Sequence, residues 1–165
     1  MPNWTDKDFA DYLARGGQVV NQDEPRYEPP ADPAATEHTD QARLFRWMAT
    51  VPALALAFAI PNGAKLPWGK DSKGNRYSPE AKRLKDEGLK RGVPDIFIPV
   101  QRGGYGGMFL ELKRADRSNH PSTAQLDYMA GLREAGYYCI VAYGLQEAMG
   151  YIRAYLDMGV HHESN

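Results

Sequence analysis

The sequence predicts an α/β protein with a mixed central sheet and flanking helices. Two apolar segments, 92–100 and 108–113, flank a turn with four glycines, which is the pattern of two antiparallel strands joined by a loop. A further apolar run at 137–143 lies between two segments with helical spacing, and such alternation of strands and helices is typical of α/β folds. At 165 residues, the chain is long enough for one domain with a substantial core.

Each element in turn follows from a local pattern. Thr36, Ser78 before Pro79, and Ser122 or Thr123 can each cap a helix. Large and small apolar residues alternate from Ala53 to Ile60, which is typical of a strand buried on both faces. The predicted helices cover 36–48, 78–88, 122–135 and 145–156, and the predicted strands cover 53–60, 92–100, 108–113 and 137–143. In the third helix we expect Leu126, Met129 and Leu132 to face inward.

The two ends of the chain differ in composition from the middle. Residues 1–35 are acidic and rich in proline, and we interpret them as an N-terminal extension with one short helix over 6–13. The folded domain is predicted over 36–157, and a polar tail with His161 and His162 follows at 158–165. Adjacent histidines at a terminus are more often disordered than bound to metal.

The composition argues against two classes of protein. The chain has one cysteine, Cys139, so no intrachain disulfide can form, which fits a reducing and therefore cytoplasmic setting. No apolar run approaches the ~20 residues needed to cross a bilayer. A signal peptide is not expected either, since no apolar segment follows a basic start. These features argue against a secreted, disulfide-rich protein and against a membrane protein.

Three charged residues lie at the end of the predicted hairpin away from its loop: Asp95, Glu111 and Lys113. Glu111 and Lys113 are two apart on one strand, so their side chains point to the same face. If Val100 faces Met108 across the turn, Asp95 lies opposite Lys113, and Glu111 is a diagonal neighbour of Asp95 at about 7–8 Å between backbones. A slip of one residue would change the face, and the length of the loop leaves the register open.

Two carboxylates on one face repel each other, and a divalent cation relieves that repulsion. Mg²⁺ is usually held by one or two carboxylates together with waters and substrate phosphate oxygens. The backbone carbonyl of Leu112 could supply a further oxygen ligand. Lys113 can orient or help to deprotonate an attacking water and offset charge in the transition state. We therefore interpret the cluster as a metal-dependent phosphodiesterase site, although such residues on a strand are also common on a solvated surface.

The arrangement resembles the PD-(D/E)xK nuclease superfamily and, within it, the virus-type replication-repair nuclease (VRR-NUC) family. The matching segments, in order, are Ile60–Gly63, Leu84–Gly88, Gly92–Asp95, Glu111–Lys113 and Gln125. The resemblance extends from about Glu37 to Leu156. It implies a restriction-endonuclease-like αβββαβ core with one inserted and one appended helix.

The resemblance also implies roles for individual residues. It makes Asp95 and Glu111 metal ligands for Mg²⁺ or Mn²⁺, places Gln125 close to the catalytic Lys113, and assigns Glu37 and Gln41 as accessory residues of the first helix. Glu37 and Gln41 share a helix face because they are four apart. Small members of the family act on branched DNA such as Holliday junctions as homodimers, and many are phage proteins, so these are the expected substrate, assembly and source.

DNA binding is also indicated by charge distribution, since basic residues are concentrated in 65–91 and next to Lys113 although the net charge is −1. The candidate phosphate-binding residues are Lys65, Lys70, Lys73, Arg76, Arg114 and Arg117. Two other readings stay open: a nuclease that nicks or cuts flaps or single strands, and a DNA-binding module that has the fold without catalysis.

Overall fold

The computed structural model describes residues 29, 31–32, 34–61, 69–70, 72–74 and 76–159. The predicted helix at 6–13, Lys65 and the two histidines of the tail lie outside these residues. The helices are α1 (Glu37–Met48), α2 (Pro79–Asp86), α3 (Thr123–Glu134) and α4 (Gly144–Leu156), and the strands are β1 (Phe58–Ala59), β2 (Gly69–Lys70), β3 (Arg76–Tyr77), β4 (Ile96–Ile98), β5 (Met108–Lys113) and β6 (Tyr138–Tyr143).

The central sheet has the strand order β1-β4-β5-β6. The β1–β4 and β4–β5 pairs are antiparallel, and β5 pairs with β6 in parallel. The parallel pair needs a crossover connection, and α3 supplies it. A mixed sheet with flanking helices confirms the predicted α/β class. Between β1 and α2, the strands β2 and β3 add a small antiparallel hairpin.

One face of the sheet carries the hydrophobic core. Ile96, Ile98, Leu110 and Leu112 are fully buried on this face, where α1 and α4 pack against the sheet and each other. The core is closed near the glycine-rich loop by Tyr155, whose hydroxyl donates to the Val100 carbonyl at 2.6 Å. None of the helices within the described ranges is long and apolar enough to cross a membrane.

The helix boundaries follow the predicted caps. Thr36 accepts from the Thr39 amide, and Ser78 accepts from the Ala81 amide. Ser122 forms a reciprocal capping box with Gln125. At the end of α2, Gly88 has φ +102°, so a left-handed residue ends this helix as predicted.

The predicted strand over 53–60 is wrong for most of its length. Pro52–Leu54 forms a 3-10 turn, and only Phe58 and Ala59 pair with the sheet. Pro52 opens the turn because its fixed φ suits the first helical position, and alanine has a low preference for strands. The expectation of burial on both faces also fails, since Phe58 lies on the edge strand and is 51% exposed.

Two further predictions need correction. Leu126 of α3 is 49% exposed rather than inward, whereas Met129 is fully buried, so α3 contacts the sheet through a narrower stripe than expected. The hairpin pairs Ile98 with Met108, not Val100 with Met108. Val100 cannot continue the ladder, because its amide donates back to the Ile98 carbonyl at 2.9 Å. The observed register differs by two residues, so every side chain keeps its predicted face.

Gly92 allows the segment leading to β4 to pass close to the start of α3. It has φ +89°, and a Cβ atom there would lie 2.3 Å from the Ala124 carbonyl oxygen. No side chain can be accommodated without moving α3 or the 92–95 segment. By contrast, Gly131 in the middle of α3 has nothing within 4 Å of a Cβ position.

We therefore expect Gly92→Ala to lower the free energy of unfolding by at least about 2 kcal/mol, from the left-handed backbone and the contact with Ala124. The matched change Gly131→Ala should raise it by roughly 0.5–1 kcal/mol, because alanine is favoured in a helix. Urea denaturation of both variants measures this. Equal stability of Gly92→Ala and wild type would contradict the close contact of residue 92 with Ala124.

Candidate active site

The structure brings Asp95, Glu111 and Lys113 together on the sheet face opposite the core. Glu111 and Lys113 alternate along β5 with the buried Leu110 and Leu112, so they point to the other face. Asp95 directly precedes β4, and its carbonyl accepts from the Ile60 amide at 2.7 Å. Continuing the β4–β5 register places Asp95 opposite Glu111 rather than Lys113. The three side chains therefore converge on one face, but Asp95 lies opposite Glu111 and not opposite Lys113 as predicted.

Glu111 is the most buried of the three, with no exposed surface, and Lys113 is 6% exposed. The Glu111 Oε1 atom accepts from both Lys113 Nζ and Gln125 Nε2. The other oxygen, Oε2, is buried and no hydrogen-bond donor among the described residues reaches it. A buried carboxylate oxygen without a donor is costly, and it is the kind of atom that a cation can satisfy.

Gln125 is held in place by the capping box of α3. Its Oε1 atom accepts from the Ser122 amide at 2.7 Å, while its Nε2 atom donates to Glu111. The resemblance implies that Gln125 lies near Lys113, and the structure places both residues on the same oxygen of Glu111. One amide side chain thus caps the helix and orients a carboxylate of the sheet.

Asp95 is oriented by the neighbouring strand, because its Oδ2 atom accepts from the Leu112 amide at 3.0 Å. Burial raises the pKa of Asp95, although the Leu112 amide and Lys113 act in the opposite direction. Burial likewise raises the pKa of Glu111 to about 7; the hydrogen bond from Lys113 opposes this shift, and the negative charges of Asp95 and Glu37 add to it.

Lys113 is influenced by burial and by the surrounding carboxylates. Burial by itself lowers its pKa, but the hydrogen bond and charge of Glu111, with smaller effects of Glu37 and Asp95, raise it above the ordinary value. Lys113 is therefore a positively charged donor at neutral pH. The acidic side chains of Glu111, Glu37 and Asp95 all act electrostatically on this one ammonium group.

The accessory residues differ in their relation to the cluster. Glu37 opens α1 and is close enough for its charge to act on Glu111 and Lys113. Its Oε2 atom accepts from Asn119 Nδ2 at 3.2 Å. Gln41 is half-buried one helical turn further on, and within the described part of the chain no hydrogen bond joins it to the cluster. No sequence motif signals the contact between Asn119 and Glu37.

The basic residues next to the site are already engaged. Arg114 pairs with Asp116 at 3.1 Å. Arg117 donates to Glu147 at 2.9 Å, and its guanidinium carbon lies 4.2 Å from the centre of the Tyr143 ring. Of the earlier basic segment, Lys70 and Lys73 are exposed on and beside the small hairpin, and the backbone of Arg76 belongs to β3.

The cluster fits Mg²⁺ or Mn²⁺ better than a metal that needs several protein ligands. Within the described ranges, no group of three His, Cys, Asp or Glu side chains forms a ready-made metal centre. Two carboxylates, one with a buried oxygen that lacks a donor, match the sparse oxygen ligation that Mg²⁺ accepts. The residues present therefore fit such an ion.

Comparison with solved structures identifies a similar protein. No protein-family model matches the chain, and no curated protein sequence matches it. A solved structure described as a VRR_NUC domain protein is similar over 76% of this chain and 92% of its own, with 26% identity and a TM-score of 0.56. The chain has the VRR-NUC fold. The family resemblance predicted from the motifs is thereby confirmed, and the fold is that of a nuclease family.

The burial of Glu111 in this VRR-NUC fold has a consequence for stability. Its pKa is about 7 when folded against an ordinary 4.5, so the folded state holds this proton more tightly than the unfolded chain. The resulting stability is complete below the unfolded pKa and is lost as the pH rises through about 7.

In chelator, we expect the wild type to lose about 2 kcal/mol relative to Glu111→Gln between about pH 5 and about pH 8. The variant has no proton to lose at this position, and the other titrating groups are shared by both proteins. Urea denaturation at each pH gives the two curves. Parallel curves would show that the Glu111 pKa is not raised in the fold.

Proposed function

We propose that the chain is a Mg²⁺- or Mn²⁺-dependent DNA endonuclease that hydrolyses phosphodiester bonds. The observation that carries this proposal is the convergence of Asp95, Glu111 and Lys113 on one sheet face, with Glu111 Oε2 buried and lacking a donor. The VRR-NUC fold supports it independently. A cation relieves the repulsion between the carboxylates and also supplies the missing partner of Glu111.

Asp95 and Glu111 are the residues that would hold the ion, with the Leu112 carbonyl as a further oxygen donor. When bound, such an ion polarises the scissile phosphate and lowers the pKa of a water molecule. Asp95 is positioned for this task by the Leu112 amide. Because Oε1 of Glu111 is occupied by Lys113 and Gln125, Oε2 is the atom left for the ion.

Lys113 supplies positive charge beside the reacting phosphate. Its ammonium group is protonated at neutral pH, so it acts first as a hydrogen-bond donor that orients the attacking water and offsets negative charge in the transition state. Gln125 supports this arrangement by holding the same oxygen of Glu111. Glu37 contributes further negative charge at the edge of the site, and Gln41 lies one turn behind it.

The substrate is proposed to be branched DNA such as Holliday junctions, cut by a homodimer, with a phage origin and action in the host cytoplasm. This part rests on the family resemblance. Flaps, nicked duplexes or single strands are the alternative substrates. Lys70 and Lys73, which are exposed, and the segment containing Lys65 and Arg76 are the proposed phosphate contacts; Arg114 and Arg117 would have to exchange their present partners to take part.

Asp95→Asn is expected to reduce cleavage of a labelled four-way junction in Mn²⁺ by more than about a hundredfold, because it removes a charged metal ligand. Asp157→Asn is the matched control, since Asp157 is exposed beside the glycine-rich loop at the far end of the hairpin. Binding of the junction without cutting by the wild type under every metal condition would instead favour a non-catalytic DNA-binding module.

The same assay decides the substrate. Four-way junction, flap, single-strand and duplex DNA are compared at equal concentration with Mg²⁺, with Mn²⁺ and with chelator. We expect the junction to be cut fastest and chelator to abolish cutting. Faster cutting of the flap or the single strand would replace the junction as the proposed substrate and leave the metal-dependent chemistry in place.

A further inference from the structure

We propose that Asn119 is a positioning residue that holds Glu37 at the edge of the metal site and thereby raises the affinity of the site for a divalent cation. This inference rests on the proposed function, because it assumes that Asp95 and Glu111 bind the ion. It concerns a contact between two segments that are far apart in the chain. Asn119 lies in the loop 114–121 that follows β5, and Glu37 opens α1.

Both ends of the Asn119 amide are engaged. Its Nδ2 atom donates to Glu37 Oε2 at 3.2 Å, and its Oδ1 atom accepts from the Arg114 amide at 3.3 Å. Arg114 directly follows Lys113, so one side chain connects the first turn of α1 to the end of the strand that carries the site. In the described part of the chain, this is the only hydrogen bond to the Glu37 carboxylate.

The loop that presents Asn119 is braced from several sides. Arg117 has φ +55°, a conformation that costs energy in a residue other than glycine, and it is held there by Glu147 and the Tyr143 ring. The His120 ring nitrogen Nδ1 lies 3.2 Å from the Tyr143 hydroxyl. Asn119 therefore projects from a loop fixed on both sides, which is what a positioning residue requires.

The position of Glu37 matters because its charge acts on the cluster. The Glu37 carboxylate acts electrostatically on Asp95, Glu111 and Lys113, so it adds negative potential where the cation would bind. A carboxylate free to rotate into solvent contributes less of this potential, because water screens it. The hydrogen bond from Asn119 keeps the carboxylate in place, as outer partners of metal ligands commonly do.

The test is a double-mutant cycle on Mn²⁺ binding, measured from the free Mn²⁺ signal by electron paramagnetic resonance. The proteins are wild type, Asn119→Ala, Glu37→Ala and the double variant, after removal of metal by chelator. We expect Asn119→Ala to weaken Mn²⁺ binding by roughly tenfold in the wild-type background and by less than about twofold in the Glu37→Ala background. Asn119 is exposed, and thermal unfolding of the Asn119→Ala variant in chelator checks that the fold is kept.

Ser118→Ala is the control for general loosening of the loop, because Ser118 bonds with Asp116 and not with Glu37. It should leave Mn²⁺ affinity unchanged. The assignment is overturned if Asn119→Ala weakens Mn²⁺ binding equally in both backgrounds, or if it has no effect in the wild-type background. It is also overturned if Ser118→Ala weakens Mn²⁺ binding as much as Asn119→Ala does. Failure of the wild type to bind Mn²⁺, or unchanged binding by Asp95→Asn, would overturn the proposed function and the role of Asn119 together.

Discussion

The geometry of the site is arranged around one buried carboxylate. Glu111 is fully enclosed between the sheet and α3, with one oxygen shared by Lys113 and Gln125 and the other lacking a donor. Burying such a group costs free energy, and this desolvation is the largest cause of the rise in the Glu111 pKa to about 7. The cost of burying Glu111 is offset if the oxygen that lacks a donor binds a cation. Both α3, which Gln125 helps to cap, and β5, which carries Lys113, then hold Glu111 in one orientation.

The alternation of side chains along β5 places the hydrophobic core on one face of the sheet and the site on the other. Residues of even number in β5 enter the core against α1 and α4, and Glu111 and Lys113 form the site on the other face. The register difference of two residues between prediction and structure did not matter for this reason, whereas a difference of one would have divided the site between two faces. Gly92 lets the segment that leads to Asp95 pass close to the start of α3, the helix that carries Gln125.

How much could be predicted from sequence differs from element to element. The second strand of the hairpin, the α3 capping residues and β6 have strong local signals, and each was predicted within about one residue. The first strand of the hairpin was predicted over 92–100 but forms only over Ile96–Ile98, because Gly92 has a left-handed backbone and the Val100 amide turns back to the Ile98 carbonyl. The 53–60 segment was not, because an alternating alanine pattern cannot tell a strand from a turn, and tertiary packing decided it. The contact between Asn119 and Glu37 spans 82 residues and involves no periodic pattern. Arg117 was predicted as a DNA contact from its charge and its position beside the site, and sequence gives no sign of its partner Glu147.

In the site that we propose, Asp95 and Glu111 jointly hold one cation, and Lys113 stays beside it without binding it. The most direct measurement is the anomalous scattering of Mn²⁺ in a crystal of the protein. We predict a peak about 2.1 Å from a carboxylate oxygen of each acid, with Oε2 as the contributing atom of Glu111. A crystal containing Mn²⁺ that shows no peak at these carboxylates, or a peak bound by only one of them, would contradict the account.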